Sequence, residues 1–253
     1  VKASYPDLDG KVAVVTGGSR GIGAATCRYL AANGVRVAAV GRDRDALESV
    51  VEEVWSVGRA IGVPADCTDP VALSALRERV LDEFGEVDIL VAFAGGAGSP
   101  QSTVDMPVER WRQIIDSDLT STFLTVQTFL PGMLARRRGS IVTMSSAAGR
   151  QPSRANAAYA AAKAGVQMLA RHLAAEVAGS GVRVNCIAPA AVRNEKMMAN
   201  MSTEQLSQLA DTFPLRRVGE AEDVAAATLF LASDASSWIT GVTLDISGGK
   251  VIV

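Results

Sequence analysis

The chain has 253 residues, 48% of them hydrophobic, with 23 glycines, 9 prolines and a net charge of −2. That length and apolar content suit a single α/β domain over residues 1–253, and the near-neutral balance excludes a global field that draws the protein to nucleic acid or an anionic membrane. The 3 cysteines (Cys27, Cys67 and Cys186) lack metal-ligand spacing and His172 is the only histidine, which excludes multi-histidine metal sites and leaves core thiols in a reducing cytoplasm as the expectation.

Apolar runs alternate with helical patterns along the whole chain. A first strand over 11–16 leads into Thr16-Gly17-Gly18-Ser19-Arg20-Gly21-Ile22-Gly23, which opens a helix over 21–33. Glycine at such a turn lets the backbone approach a pyrophosphate, whose charge is stabilised by free N–H groups at the helix start. Glycine also serves any tight strand-to-helix connection; its place after the first strand of a βαβ unit is what favours a dinucleotide. The second strand, 35–40, ends at Val40-Gly41-Arg42. A site for NAD offers a carboxylate there to the ribose hydroxyls, and a site for NADP offers cations to the 2′-phosphate. Gly41 carries no carboxylate, whereas Arg42 and Arg20 both carry guanidinium groups, so NADP(H) is the expected cofactor and NAD(H) the alternative. Asp43 is read as the cap of the helix over 44–57.

The third strand, 60–64, leads to Asp66, placed either to accept from an adenine amino group or to cap the helix over 69–84. A fourth strand spans 89–93 and a long helix 107–137. That helix ends at Arg136-Arg137-Arg138, read as solvent-facing cations that complement the helix dipole. The fifth strand, 140–145, delivers Ser146, and the helix over 153–179 carries Tyr159, Lys163 and His172, the histidine being read as a packing or surface residue. The sixth strand, 183–188, ends at Pro189. The stretch 190–213, with Met197, Met198 and Met201, is read as a mobile helical lid over an apolar substrate, the alternative being a surface helix whose methionines pack downward. A helix over 221–233 and a strand over 242–246 complete the pattern. Alternation of this kind implies right-handed βαβ units and a doubly wound parallel sheet. No stretch reaches the roughly 18 apolar residues of a membrane span, and no signal-peptide pattern opens the chain.

Tyr159 and Lys163 are four residues apart, on one face of their helix, and Ser146 lies thirteen residues before the tyrosine. A free tyrosine, with a pKa of about 10, exchanges protons poorly near neutrality. A neighbouring cation favours its phenolate, as general acid–base catalysis requires. A serine hydroxyl within reach is suited to holding a carbonyl or alcohol oxygen. Taken alone, Tyr-x-x-x-Lys is also an ordinary pair on an amphipathic helix.

In combination, Thr16-Gly17, Gly21-Ile22-Gly23, Asp66, Ala94-Gly95, Ser146, Tyr159, Lys163, Asn185 and Pro189 resemble the short-chain dehydrogenase/reductase family from about Leu8 to Gly249. The resemblance implies a Rossmann-type, doubly wound, seven-stranded parallel sheet of order 3-2-1-4-5-6-7. It implies Tyr159 as general acid/base, Lys163 as the residue that binds the nicotinamide ribose and favours the phenolate, and Ser146 as the holder of the substrate oxygen. The cofactor would lie against Gly17, Ser19, Arg20, Gly21, Ile22, Gly23, Arg42, Asp66, Cys67, Ala94, Gly95, Pro189, Val192 and Asn194. Homotetramers or homodimers built on the two long helices are implied as well.

The chain also departs from the family pattern. Ala92-Phe93-Ala94-Gly95-Gly96 stands where Asn-Asn-Ala-Gly is usual, so Phe93 is expected to fill space that strand-supporting amides occupy elsewhere. Asp118 stands in place of the asparagine that lets a backbone carbonyl hold a water reaching the lysine, and brings a charge to that relay. Ala190 replaces a glycine and Asn194 a threonine.

Within the family, Arg20, Arg42 and the length most resemble 3-oxoacyl-[acyl-carrier-protein] reductases. The expected function is NADPH-dependent reduction of a carbonyl, free or carrier-bound, to a secondary alcohol. Alternatives are an alcohol dehydrogenase acting on a sugar, steroid or other secondary alcohol, and a non-catalytic dinucleotide-binding sensor or scaffold. No metal, nucleic-acid or membrane partner is expected.

Overall fold

Valine-rich strands that are apolar on both faces are stable only where a parallel sheet is covered on two sides. The computed structural model describes residues 4–96 and 98–252. It places β1 (Val12–Thr16), β2 (Arg36–Gly41), β3 (Arg59–Pro64), β4 (Ile89–Ala92), β5 (Gly139–Met144), β6 (Val182–Pro189) and β7 (Thr243–Ile246) in one sheet of order β3-β2-β1-β4-β5-β6-β7. All six pairings are parallel. The fold class and strand order expected from the sequence are therefore correct, with strand ends displaced by a residue or two.

The helices are α1 (Gly21–Ala31), α2 (Arg44–Trp55), α3 (Pro70–Phe84), α4 (Val108–Ile115), α5 (Ser121–Arg136), α6 (Ala157–Val177), α7 (Glu195–Asn200), α8 (Thr203–Asp211) and α9 (Ala221–Ala232). Short polar side chains set their starts by accepting orphan N–H groups. Asp43 accepts from the Ala46 N–H before α2, Asp69 from the Val71 N–H before α3, and Asn156 from the Tyr159 N–H before α6. The two sides of the sheet carry separate cores. Leu73, Leu76, Val80, Phe129, Met133 and Val166 fill one, and Cys27, Leu30, Leu47, Val54, Phe93 and Leu229 the other. Burial pushes the Cys27 thiol up to about 12 and the Cys67 thiol up to about 11, which keeps both protonated and unreactive. His172 is exposed on α6. Among the described residues, no helix is long and apolar enough to cross a membrane.

β1 pairs with β2 on one side and β4 on the other, so the chain departs in opposite directions from the carboxyl ends of β1 and β4. Open α/β sheets form their ligand crevice at that reversal.

Two sequence expectations need correction. The single helix over 107–137 is instead α4, a π turn at Asp116–Thr120, and α5. A π turn slips the helix phase within an otherwise continuous helical run, so the sequence reads as one helix. The arginine run is not a freely solvated helix end. Arg136 turns inward to the Asp88 carboxylate at 3.0 Å and to the Val87 carbonyl, and Arg138 reaches Asp88 at 3.3 Å. Arg137 sits in the left-handed region at φ 52° and donates to the Gly179 carbonyl.

Candidate active site

A groove of about 1220 Å³ opens at the carboxyl ends of the central strands. Every cofactor residue named from the sequence lines it except Lys163, and Ser146 and Tyr159 line it too. Lys163 and Asp118 lie behind its wall.

The glycine turn is built for close backbone approach. Gly17 has φ +68°, and a Cβ there would stand 2.8 Å from the Phe93 carbonyl oxygen. A Cβ on Gly23 would stand 2.0 Å from the Gly17 carbonyl oxygen, whereas one on Gly21 would meet nothing within 4 Å. The turn thus packs tightly against β4 and α1 while leaving the groove side of Gly21 open, above the free N–H groups of the α1 start. That shape and charge fit the pyrophosphate of a nicotinamide dinucleotide. Gly17→Ala is expected to destabilise the fold by about 1–3 kcal/mol, the cost of forcing a side chain into a sparsely populated backbone region. Urea denaturation measures it.

Thr16 supplies the support that an asparagine pair gives elsewhere. Its Oγ1 accepts from the Phe93 N–H at 3.0 Å and from the Ala94 N–H at 3.2 Å. Phe93 itself is buried in the core facing α1, as expected.

Arg42 is exposed at the end of β2, and Arg20 forms an ion pair with Asp43. Asp43 does cap α2, as expected, but through the same carboxylate it also holds Arg20. Among the described residues, none of the salt bridges involves Arg42. Asp66 does not cap α3, a task that falls to Asp69. Its Oδ1 instead accepts from the Thr68 N–H at 2.9 Å and the Thr68 hydroxyl at 2.8 Å. Those bonds, backbone first, with the Arg42 charge nearby, hold its carboxyl below the usual range. The Asp66 carboxylate is fixed in this way at the groove edge.

At the other end, Ser146 follows β5 and its Oγ accepts from the Ala148 N–H at 3.2 Å. Tyr159 is half-buried in the first turn of α6. The Lys163 ammonium lies 5.6 Å from the Tyr159 ring centroid. Lys163 is 3% exposed and Asp118 0% exposed, and Nζ meets Asp118 Oδ1 at 3.2 Å and the Met144 carbonyl at 3.1 Å. Asp118 Oδ1 also accepts from the Gly96 N–H at 2.6 Å, and Oδ2 accepts from the Ser117 hydroxyl at 2.8 Å. The carboxylate is therefore a direct partner of the lysine.

Ser145, absent from the expected site, ties β5 to α6. Its hydroxyl donates to the Lys163 carbonyl at 2.7 Å and accepts from Gln167 Nε2 at 2.8 Å. Gly149 closes the same junction, since a Cβ there would stand 2.6 Å from the Lys163 carbonyl carbon. These contacts hold Ser146, Tyr159 and Lys163 in one frame.

Pro189 and Val192 line the groove beside Tyr159. Asn194 lines it too, but its side chain caps α7, accepting from the Met197 N–H at 2.9 Å and donating to the Val192 carbonyl at 3.1 Å. The 190–213 stretch is two helices, α7 and α8, and Met197 alone of its three methionines lines the groove. Ser117, Arg110 and Gln113 also line it. None of the three stands out in the sequence, because 107–137 reads as one plain amphipathic helix, whereas Arg110 and Gln113 lie on α4 and Ser117 on the π turn.

The sequence model of the family described as Enoyl-(Acyl carrier protein) reductase matches residues 17–250. The 3-oxoacyl-[acyl-carrier-protein] reductase FabG of Escherichia coli (strain K12) is 36% identical over 247 residues, covering 98% of this chain and 100% of the relative. The cis-4-hydroxycyclohexanecarboxylate dehydrogenase of Sinomonas cyclohexanicum is 38% identical over 244 residues, covering 96% and 97%. Among solved structures, a short-chain type dehydrogenase/reductase from Mycobacterium marinum superposes with a TM-score of 0.91 at 33% identity, covering 98% of each chain. Levodione reductase superposes with a TM-score of 0.91 at 27% identity, covering 96% of this chain and 98% of its own. With sheet order, glycine turn and near full-length identity in agreement, the chain belongs to the short-chain dehydrogenase/reductase family, oxidoreductases that interconvert carbonyl and alcohol groups with a nicotinamide dinucleotide.

Proposed function

We propose that the protein is an NADPH-dependent reductase that converts a ketone, a 3-oxoacyl thioester or a related carbonyl, to a secondary alcohol, with Tyr159 as proton donor. The observation that carries this reading is the half-buried Tyr159 in the groove wall with a buried ammonium 5.6 Å from its ring. The bound nicotinamide supplies a hydride to the carbonyl carbon. Ser146 holds the carbonyl oxygen, Tyr159 donates a proton to the oxygen as charge develops on it, and Lys163 favours the phenolate left behind. Gly17, Ser19, Gly21, Ile22 and Gly23 cradle the pyrophosphate, Asp66 and Cys67 bound the adenine, and Ala94, Gly95, Pro189 and Val192 bound the rest of the cofactor. Asn194, occupied as a helix cap, contributes shape more than a free donor. The segment over 190–213 acts as the lid, presenting the Met197 thioether to the substrate.

Arg42 supports the preference for NADPH, because among the described residues no salt bridge ties it down, whereas Arg20 is shared with Asp43. Arg42→Ala is expected to weaken NADPH binding about tenfold or more, the scale of one charge-assisted hydrogen bond, and to leave NADH nearly unaffected. Fluorescence titration with both dinucleotides checks this, and equal losses would overturn the cofactor assignment.

The 3-oxoacyl thioester is favoured by the likeness to FabG over the whole of both chains. A carrier-bound substrate does not need the arginine run, whose Arg136 is committed to Asp88. A second reading, oxidation of a cyclic secondary alcohol, is favoured by the 38% identity to the cyclohexanecarboxylate dehydrogenase. Supplying NADPH with thioesters, diketones and quinones, and NADP or NAD with secondary alcohols, separates the two by which reaction is faster. A binding-only role has no use for the assembled Ser146, Tyr159 and Lys163. Self-association through α4, α5 and α6 is part of the proposal, supported by the exposure of Trp111, Phe123 and Met168 on those helices.

A further inference from the structure

Each reduction removes one proton from Tyr159, and the proton has to be replaced from solvent before the next turnover. Lys163 is 3% exposed and does not line the groove, and the groups against its ammonium are protein groups. Its Nζ is 3.2 Å from Asp118 Oδ1, which leaves no room for a water between them. The other carboxylate oxygen, Oδ2, accepts from the Ser117 hydroxyl at 2.8 Å, and Ser117 lines the groove. The π turn at Asp116–Thr120 carries both residues, one facing the groove and its neighbour buried. Main-chain contacts hold the pair in place. The Gly96 N–H donates to Oδ1 at 2.6 Å, and the Ser117 hydroxyl also lies 3.2 Å from the Ile114 carbonyl, a second acceptor to which it can turn.

We propose that Ser117 and Asp118 form a direct proton path from the groove to Lys163, replacing a route through ordered water. The inference rests on the reading of Tyr159 as proton donor. In the reductive direction Lys163 makes good the proton that Tyr159 loses, which leaves a neutral amine beside the carboxylate. Ser117 then passes its hydroxyl proton to Asp118 while its oxygen takes a proton from groove water, and Asp118 passes a proton to Nζ. One O–H bond of water breaks, the hydroxide left in the groove takes a proton from bulk solvent or buffer acid, one N–H bond of Lys163 forms, and the ammonium–carboxylate pair is restored. No electrons move. An amide at position 118 could hold the lysine but could not carry a proton in this way. Ser117 and Asp118 act through Lys163, so they are positioning and relay residues.

The test uses the full chain with NADPH and acetoacetyl-coenzyme A, or whichever panel carbonyl is turned over. Ser117→Ala is expected to lower kcat about tenfold, short of the roughly 10²–10⁴-fold that a positioned acid supplies, with KM unchanged. The solvent deuterium isotope effect on kcat should rise above that of the unsubstituted protein, and Ser117→Thr, which keeps the hydroxyl, should restore both quantities. Unchanged kcat and isotope effect in Ser117→Ala would overturn the path. So would a lower kcat with an unchanged isotope effect, or a Ser117→Thr protein as slow as Ser117→Ala, since either marks a structural role. Full activity in Tyr159→Phe, or no turnover of any carbonyl by the unsubstituted protein, would instead overturn the reading on which the path rests.

Discussion

Tyr159→Phe is expected to lower turnover by about 10²- to 10⁴-fold, the range a positioned general acid contributes, while dinucleotide binding is retained. The substitution removes one oxygen and leaves the ring where it is. That ring packs closely on the loop after β4, since a Cβ on Gly98 would lie 3.0 Å from Tyr159 Cε1. The Tyr159 N–H is held by the Asn156 cap at 2.8 Å, and this main-chain bond does not depend on the hydroxyl. A loss of turnover with normal NADPH titration therefore isolates the proton. Turnover within a few-fold of the unsubstituted protein would assign the acid to another group.

Asp118→Ala is expected to cost about 3–5 kcal/mol of stability, the penalty for stranding one member of a buried ion pair. Among the described residues, Lys163 would keep the Met144 carbonyl at 3.1 Å as its hydrogen-bond partner, and the Gly96 N–H would lose the Asp118 acceptor. Removing both charges should be milder than removing one, because a buried pair replaced by apolar groups is often close to neutral. Asp118→Ala combined with Lys163→Met should thus be more stable than Asp118→Ala alone, and the double-mutant cycle gives the coupling. Urea denaturation measures all four proteins. A loss below about 1 kcal/mol in the single variant, the scale of an exposed pair, would show that the buried pair is not needed to hold the fold.

The sheet was legible because its strands are short, apolar on both faces and separated by helical spacing. Period and composition carry that information in any parallel sheet. The glycine turn was legible for a related reason: only glycine tolerates the Gly17 backbone and the approach of Gly23 to Gly17. What the sequence concealed is where one side chain serves two neighbours or where helix phase slips. The π turn carries Asp118 into the interior, and its direct pairing with Lys163 left no trace in the spacing. Thr16 reads as the last residue of a valine-rich strand, yet it bonds to the main chain after β4. Arg136 sits in a run of three arginines, and only the fold brings Asp88 within 3.0 Å of it. Asn194 reads as a hydrogen-bonding residue at the nicotinamide end, but its amide is taken up by the start of α7. In each case the deciding partner is distant in sequence or belongs to the backbone.

Reduction of a carbonyl with NADPH is the proposed reaction on which the roles of Tyr159, Lys163 and Arg42 depend. Following nicotinamide absorbance while the purified protein is mixed with NADPH and a 3-oxoacyl thioester tests it most directly. A fall in absorbance matched one for one by secondary alcohol is expected, absent when Tyr159 is phenylalanine. NADPH binding with no loss of absorbance on the thioester, or on any of the diketones and quinones, would contradict it.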